Sequence, residues 1–151
     1  MSRKRVLFLC TGNSCRSQMA EGLVNHFRGD RWEAFSAGTA PAGYVHPLAV
    51  KAMDEIGIDI SAGYSKPVDG FRDVQFDLVI TVCDDAAENC PLWLGSGNVR
   101  HMGFPDPAQA PGSKEQRLEV FRQVRNGLRQ KVIRALDEME NPEPPGEFHA
   151  P

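Results

Sequence analysis

No stretch of this 151-residue chain approaches the roughly 20 consecutive apolar residues that a membrane-spanning helix requires, so a membrane partner is not expected. The basic start Arg3-Lys4-Arg5 precedes only the short run Val6 to Cys10, too brief for a secretory leader. Charge of one sign is also missing: 17 Lys and Arg against 20 Asp and Glu leave a net charge of -3, which argues against nucleic acid as a partner. Paired metal ligands are absent as well. His26, His46, His101 and His149 are scattered, and the spacings Cys10/Cys15 and Cys83/Cys90 do not match the common zinc pairs. There is no internal repeat and no linker dividing the body. Four cysteines without a leader therefore read as reduced, reactive thiols in a cytoplasmic protein rather than as a disulfide framework.

What the chain does have is the segment Val6-Leu7-Phe8-Leu9-Cys10-Thr11-Gly12-Asn13-Ser14-Cys15-Arg16-Ser17. An all-apolar strand runs into a loop that begins at a thiol and ends at a guanidinium. Five residues between Cys10 and Arg16 suffice to curl the amides of Thr11, Gly12, Asn13, Ser14, Cys15 and Arg16 inward as an oxyanion nest. Arg16 adds a planar two-pronged donor for a tetrahedral anion, and a helix starting near Ser17 points its N-terminus at the same place. Such a field suits Cys10 as a thiolate nucleophile. The ordinary alternative is a core cysteine closing a strand.

The rest of the chain alternates strand and helix. Apolar spacing places a helix from Gln18 to Phe27, a strand from Trp32 to Ser36, a helix opened by Pro47 and stopped by Gly57, and strands at Leu78–Cys83 and Val99–Phe104. The longest helix follows Pro111-Gly112-Ser113, with Phe121, Val124, Leu128, Val132 and Leu136 on one face. The Pro-rich end, 141–151, reads as a flexible tail to a domain spanning 1–140. Near-continuous apolar strands between helices predict an α/β fold: one domain, a four-stranded parallel sheet with helices on both faces, in three layers of the Rossmann type.

In an open parallel sheet the loops after the strands gather at one edge, where ligands bind. Cys10 ends the first strand, Cys83 the third, and Asp106 follows the fourth. If the first and third strands are neighbours, their ends lie about 4.8 Å apart, and loops carrying Cys10 and Cys83 can meet with modest movement. A short acidic helix across residues 84–89 would hold Cys83 and Cys90 roughly 10 Å apart, so a bond between them would need that helix to unwind. Its shortness makes such unwinding inexpensive.

With these residues assembled, the chain resembles the thioredoxin-coupled arsenate reductases built on the low-molecular-weight protein tyrosine phosphatase fold. The likeness rests on Cys10 through Glu21, Ser36-Ala37-Gly38, Val82-Cys83 with Asn89-Cys90-Pro91, and Gly103-Phe104 with Asp106-Pro107. It implies arsenate as substrate, with phosphate or sulfate as mimics. Cys10 would attack arsenate held by the loop and Arg16, Ser17 would support the thiolate, and Asp106 would protonate the leaving oxygen. Cys83 would then form a disulfide with Cys10 and release arsenite, Cys90 would move that bond to Cys83–Cys90, and thioredoxin would reduce it. Cys15 has no role in this scheme and packs beneath the loop.

No tightly bound cofactor is implied. Many members bind potassium through residues that match Asn13, Glu21 and Ser36 plus an acidic side chain, and Lys66 stands where that acid would be. Its ammonium predicts weak or absent potassium dependence, leaving Asn13, Glu21, Ser36 and Lys66 as polar support for the loop. A monomer is expected. Two other readings remain. A phosphatase acting on phosphotyrosine or small esters would share Cys10, Arg16 and Asp106, although no aromatic follows Pro107 to form a cleft wall; a non-enzymatic thiol switch would leave Asp106 without a purpose.

Overall fold

The computed structural model describes residues 3–84, 93, 95 and 97–140. The strands are β1 (Lys4–Cys10), β2 (Trp32–Gly38), β3 (Leu78–Thr81) and β4 (Asn98–His101), all parallel, in the order β2-β1-β3-β4. β1 is central, which is why its five residues from Val6 to Cys10 are apolar without alternation. Val6 pairs with Ala34 on one side and Leu78 on the other.

Side chains still sort by parity. Val6, Phe8 and Cys10 enter the larger core with α1 (Arg16–Phe27), α2 (Pro47–Asp54) and α3 (Lys114–Glu140), through Met19, Met53, Phe121 and Leu128. Leu7 and Leu9 face the opposite layer, where the described residues covering them include Val68, Phe76 and Trp93, with a one-turn 3-10 helix at Val68–Phe71. Both faces of the sheet are thus covered, as expected for an α/β fold of this kind.

Helix boundaries follow local chemistry. Pro47 opens α2 because it has no amide proton to leave orphaned, and Gly57, at φ +81°, reverses the chain after it. Ser113 and Gln116 start α3 with reciprocal bonds: the Ser113 amide donates to Gln116 Oε1 at 2.8 Å and the Gln116 amide to Ser113 Oγ at 3.1 Å. β3 and β4 stop two or three residues earlier than their apolar runs suggest. Single bonds carry the pairing beyond them, from the Val82 amide to Leu9 O and from the Phe104 amide to Val82 O. No helix among the described residues is long and apolar enough to cross a membrane. The expected short helix at 84–89, Cys90 and the 141–151 tail lie outside the described residues, apart from Asp84.

Candidate active site

The loop after β1 is shaped by what happens to its carbonyls. Thr11 O accepts the Ala40 amide at 3.0 Å, Gly12 O accepts the Ala42 amide at 2.9 Å and the Ser65 hydroxyl at 2.8 Å, and Ser14 O accepts the His46 amide at 2.9 Å. Asn13 O accepts Gln18 Nε2 at 3.1 Å. With its carbonyls turned outward to these donors, the loop presents its amides inward, the geometry of an anion nest. Asn13 sits at φ +49°, a left-handed conformation that asparagine tolerates better than most residues. Among the described residues no side chain caps the N-terminus of α1, so its first-turn amides can serve an anion.

Cys10 is 2% exposed. Its sulfur accepts the Asn13 amide at 3.2 Å and lies 2.9 Å from Ser17 Oγ. Asn13 Nδ2 donates to that same Oγ at 2.8 Å, so the serine proton is directed at sulfur. Asn13 Oδ1 is itself pinned by Gln18 Nε2 at 3.1 Å and the Lys66 amide at 2.8 Å. The Cys10 thiol therefore stands at the end of an ordered chain of buried polar groups.

Arg16 is buried at the floor, with Nη1 donating to Phe104 O at 3.0 Å and Nη2 3.9 Å from Asp106 Oδ2. Asp106 starts a one-turn 3-10 helix, Pro107–Gln109, and its Oδ1 accepts the Ala108 amide at 3.0 Å. Its second oxygen is the one nearest Arg16. The cavity holds about 290 Å³ and is lined by residues 10–16, Ala42, Tyr44, Asp106, Ala108 and Gln109. Cys15 is nearly enclosed, and burial pushes its thiol up to about 12, with the charges of Asp106 and Cys10 adding to the effect. Cys15 is thus a neutral packing thiol at physiological pH.

Cys83 follows β3, fully buried and disulfide-bonded, whereas Cys10 and Cys15 are free. β3 is the hydrogen-bonded neighbour of β1, so positions 10 and 83 leave adjacent strand ends. Beside the loop, Ser36 Oγ donates to Glu21 Oε1 and Lys66 Nζ lies 3.8 Å from the same oxygen. Burial raises the Glu21 carboxyl above its usual range, opposed by Ser36 and Lys66. Asn13, Glu21, Ser36 and Lys66 are thus one contiguous cluster. Among the described residues no three His, Cys, Asp or Glu side chains converge as a metal site.

Two residues of the site are not singled out by sequence reasoning. Gln18 looks like any polar residue in a first helical turn, yet it is 3% exposed and clamps the loop. Tyr44 lies in the Gly- and Pro-rich segment before α2, which has no periodicity to read. Although the 107–111 segment brings no ring, as its composition predicts, Tyr44 puts an aromatic side chain at the cavity from the other side.

A family model for low molecular weight phosphotyrosine protein phosphatase matches residues 5–143. An arsenate reductase of Shouchella clausii (strain KSM-K16) is 48% identical over 132 residues, 87% of this chain and 94% of that protein. An arsenate reductase solved in an oxidized state superposes with a TM-score of 0.75 at 33% identity, covering 90% of this chain and 98% of its own. A Corynebacterium glutamicum thioredoxin-dependent arsenate reductase gives a TM-score of 0.62 at 28% identity, over 91% of this chain and 63% of that one.

Proposed function

We propose that this chain, which belongs to the low molecular weight phosphotyrosine protein phosphatase family, reduces arsenate to arsenite in the cytoplasm through Cys10, Cys83 and Cys90, with thioredoxin restoring the thiols. The observation that carries this reading is the pairing of β1 with β3, which sets Cys10 in an anion loop and Cys83 at the end of the next strand. Phosphate-ester hydrolysis needs only the first of these.

The chemistry follows from the groups present. Arsenate oxygens take the inward amides and the Arg16 guanidinium, and the Cys10 thiolate, supported by Ser17, attacks arsenic. Asp106 protonates the departing oxygen, which leaves as water, and a Cys10 sulfur–arsenic(V) bond remains. The Cys83 thiolate then attacks Cys10 sulfur. The sulfur–arsenic bond breaks with its electron pair going to arsenic, arsenite departs, and a Cys10–Cys83 disulfide holds the oxidising equivalents. Attack by Cys90 on Cys83 frees Cys10, and the thioredoxin dithiol reduces the final disulfide.

The direct test is arsenate-dependent NADPH oxidation with thioredoxin and thioredoxin reductase. The parent should turn over many times, and Cys90→Ser should stop near one arsenite per enzyme. Absence of arsenate turnover, with vigorous ester hydrolysis indifferent to Cys83 and Cys90, would make the protein a phosphatase. Tyr44 favours some ester hydrolysis as a side activity, because it offers an aryl group a ring to stack on at the cavity. Lys66 further supports weak or absent potassium dependence, since its ammonium already lies 3.8 Å from Glu21. Replacing sodium by potassium at constant ionic strength should leave the rate unchanged, and a severalfold rise would refute this.

A further inference from the structure

Gly127 sits in the middle of α3, where glycine is the least favourable residue short of proline. Its missing side chain leaves a notch on the helix face, and the Phe104 ring fills it. A Cβ built on Gly127 would stand 2.9 Å from Phe104 Cε1, closer than carbon atoms pack, and 3.7 and 3.8 Å from Cδ1 and Cζ. One turn further along α3, Lys131 Nζ lies 5.5 Å from the centroid of the same ring. Phe104 is buried by these contacts although it belongs to the loop after β4.

A displacement of that ring passes to the backbone. The Phe104 amide donates to Val82 O at 3.2 Å, and the residue before a proline, here Pro105, is confined to extended conformations. The Phe104 carbonyl accepts Arg16 Nη1 at 3.0 Å, and two residues on, Asp106 Oδ2 lies 3.9 Å from Arg16 Nη2. Arg16 is buried, so Phe104 O takes the place of water for one of its nitrogens. A push from α3 on the Phe104 ring therefore shifts the carbonyl that orients the guanidinium, together with the segment that carries Asp106.

We propose that Gly127 is a positioning residue of the anion site: its notch seats Phe104, and the seated Phe104 carbonyl aims Arg16 at the oxyanion. Neither Gly127 nor Phe104 lines the anion cavity, so the effect travels through Arg16. The inference rests on the reading of Arg16 as an oxyanion ligand and is independent of whether arsenate is reduced. It also explains a helix-breaking residue at the centre of the longest helix.

The test uses inorganic phosphate and the full chain. Gly127→Ala should weaken phosphate binding about fivefold or more in calorimetric titration, because the bond that orients a charged donor is stretched. It should also move the Arg16 side-chain NMR signals of the phosphate-free protein. Gly70→Ala, where an added Cβ meets nothing within 4 Å, should change neither. Phe104→Leu supplies the rescue: combined with Gly127→Ala it should tighten phosphate, whereas in the parent it should loosen it, a reversal of sign that general damage to α3 does not produce. If Gly127→Ala alone does not fold, the double variant and Phe104→Leu still decide, since these two should bind phosphate within about twofold of each other. Gly127→Ala with parental phosphate affinity, or a weakening that Phe104→Leu fails to relieve, would overturn the role of Gly127. A parent protein that binds no phosphate would instead overturn the anion site.

Discussion

At the scale of single residues, the order of hydrogen bonds decides what the Cys10 thiol, the proposed nucleophile, can be. Ser17 Oγ has Asn13 Nδ2 on one side at 2.8 Å and Cys10 Sγ on the other at 2.9 Å, so the hydroxyl proton has one productive direction. A hydrogen bond to a charged partner contributes about 1.5–3 kcal/mol, which corresponds to roughly a 10- to 150-fold change in rate. Ser17→Ala should therefore lower kcat/KM for arsenate by that range while leaving the fold intact. Thermal unfolding would confirm the latter, and a rate within twofold of the parent would remove Ser17 from the mechanism. Cys10, Arg16 and Asp106 are legible in the sequence because their spacing is itself the chemical signal. Gln18 and Tyr44 are not, since a buried amide and a loop aromatic acquire their roles only from segments far along the chain.

At the scale of elements, α2 and the anion loop share one residue. The His46 amide donates to Ser14 O, its Nδ1 accepts the Leu48 amide at 3.1 Å as the N-cap of α2, and its ring lies 4.8 Å from that of Phe121 on α3. Burial, together with the charge of Arg117, holds the imidazole below its ordinary value, with Asp106 pulling weakly the other way. Protonation would end the cap, because Nδ1 must be unprotonated to accept. Below the ordinary histidine value of about 6.5 the unfolded chain binds the extra proton and the folded one resists it, so this stability is present above that pH and lost as pH falls. Glu21 acts in the opposite sense, its raised carboxyl favouring the fold at lower pH. His46→Asn keeps a capping acceptor without the titration, and its melting temperature should fall less than the parent's between pH 7 and 5.5. Equal slopes would show that the cap does not titrate. The elements themselves were readable from apolar spacing and from Pro47, Gly57 and Ser113. Strand ends were less so, because β3 and β4 stop where regular pairing stops and not where apolar character does.

At the scale of the whole molecule, the strand order β2-β1-β3-β4 makes β1 and β3 neighbours and brings Cys10, Cys83 and Asp106 to one edge of the sheet. Sequence alone leaves that adjacency a condition, because strand order arises from long-range pairing that no local pattern encodes. The fold class follows from alternation of strand and helix, whereas the proposed relay rests on chemistry between residues 73 apart in sequence, 10 and 83. The most direct measurement is to mix arsenate with the reduced Cys90→Ser protein, quench with an alkylating agent and map the cysteines by mass spectrometry. A Cys10–Cys83 disulfide formed in step with one arsenite per enzyme is the predicted result. Cys10 and Cys83 both recovered alkylated after exposure to arsenate would contradict the account.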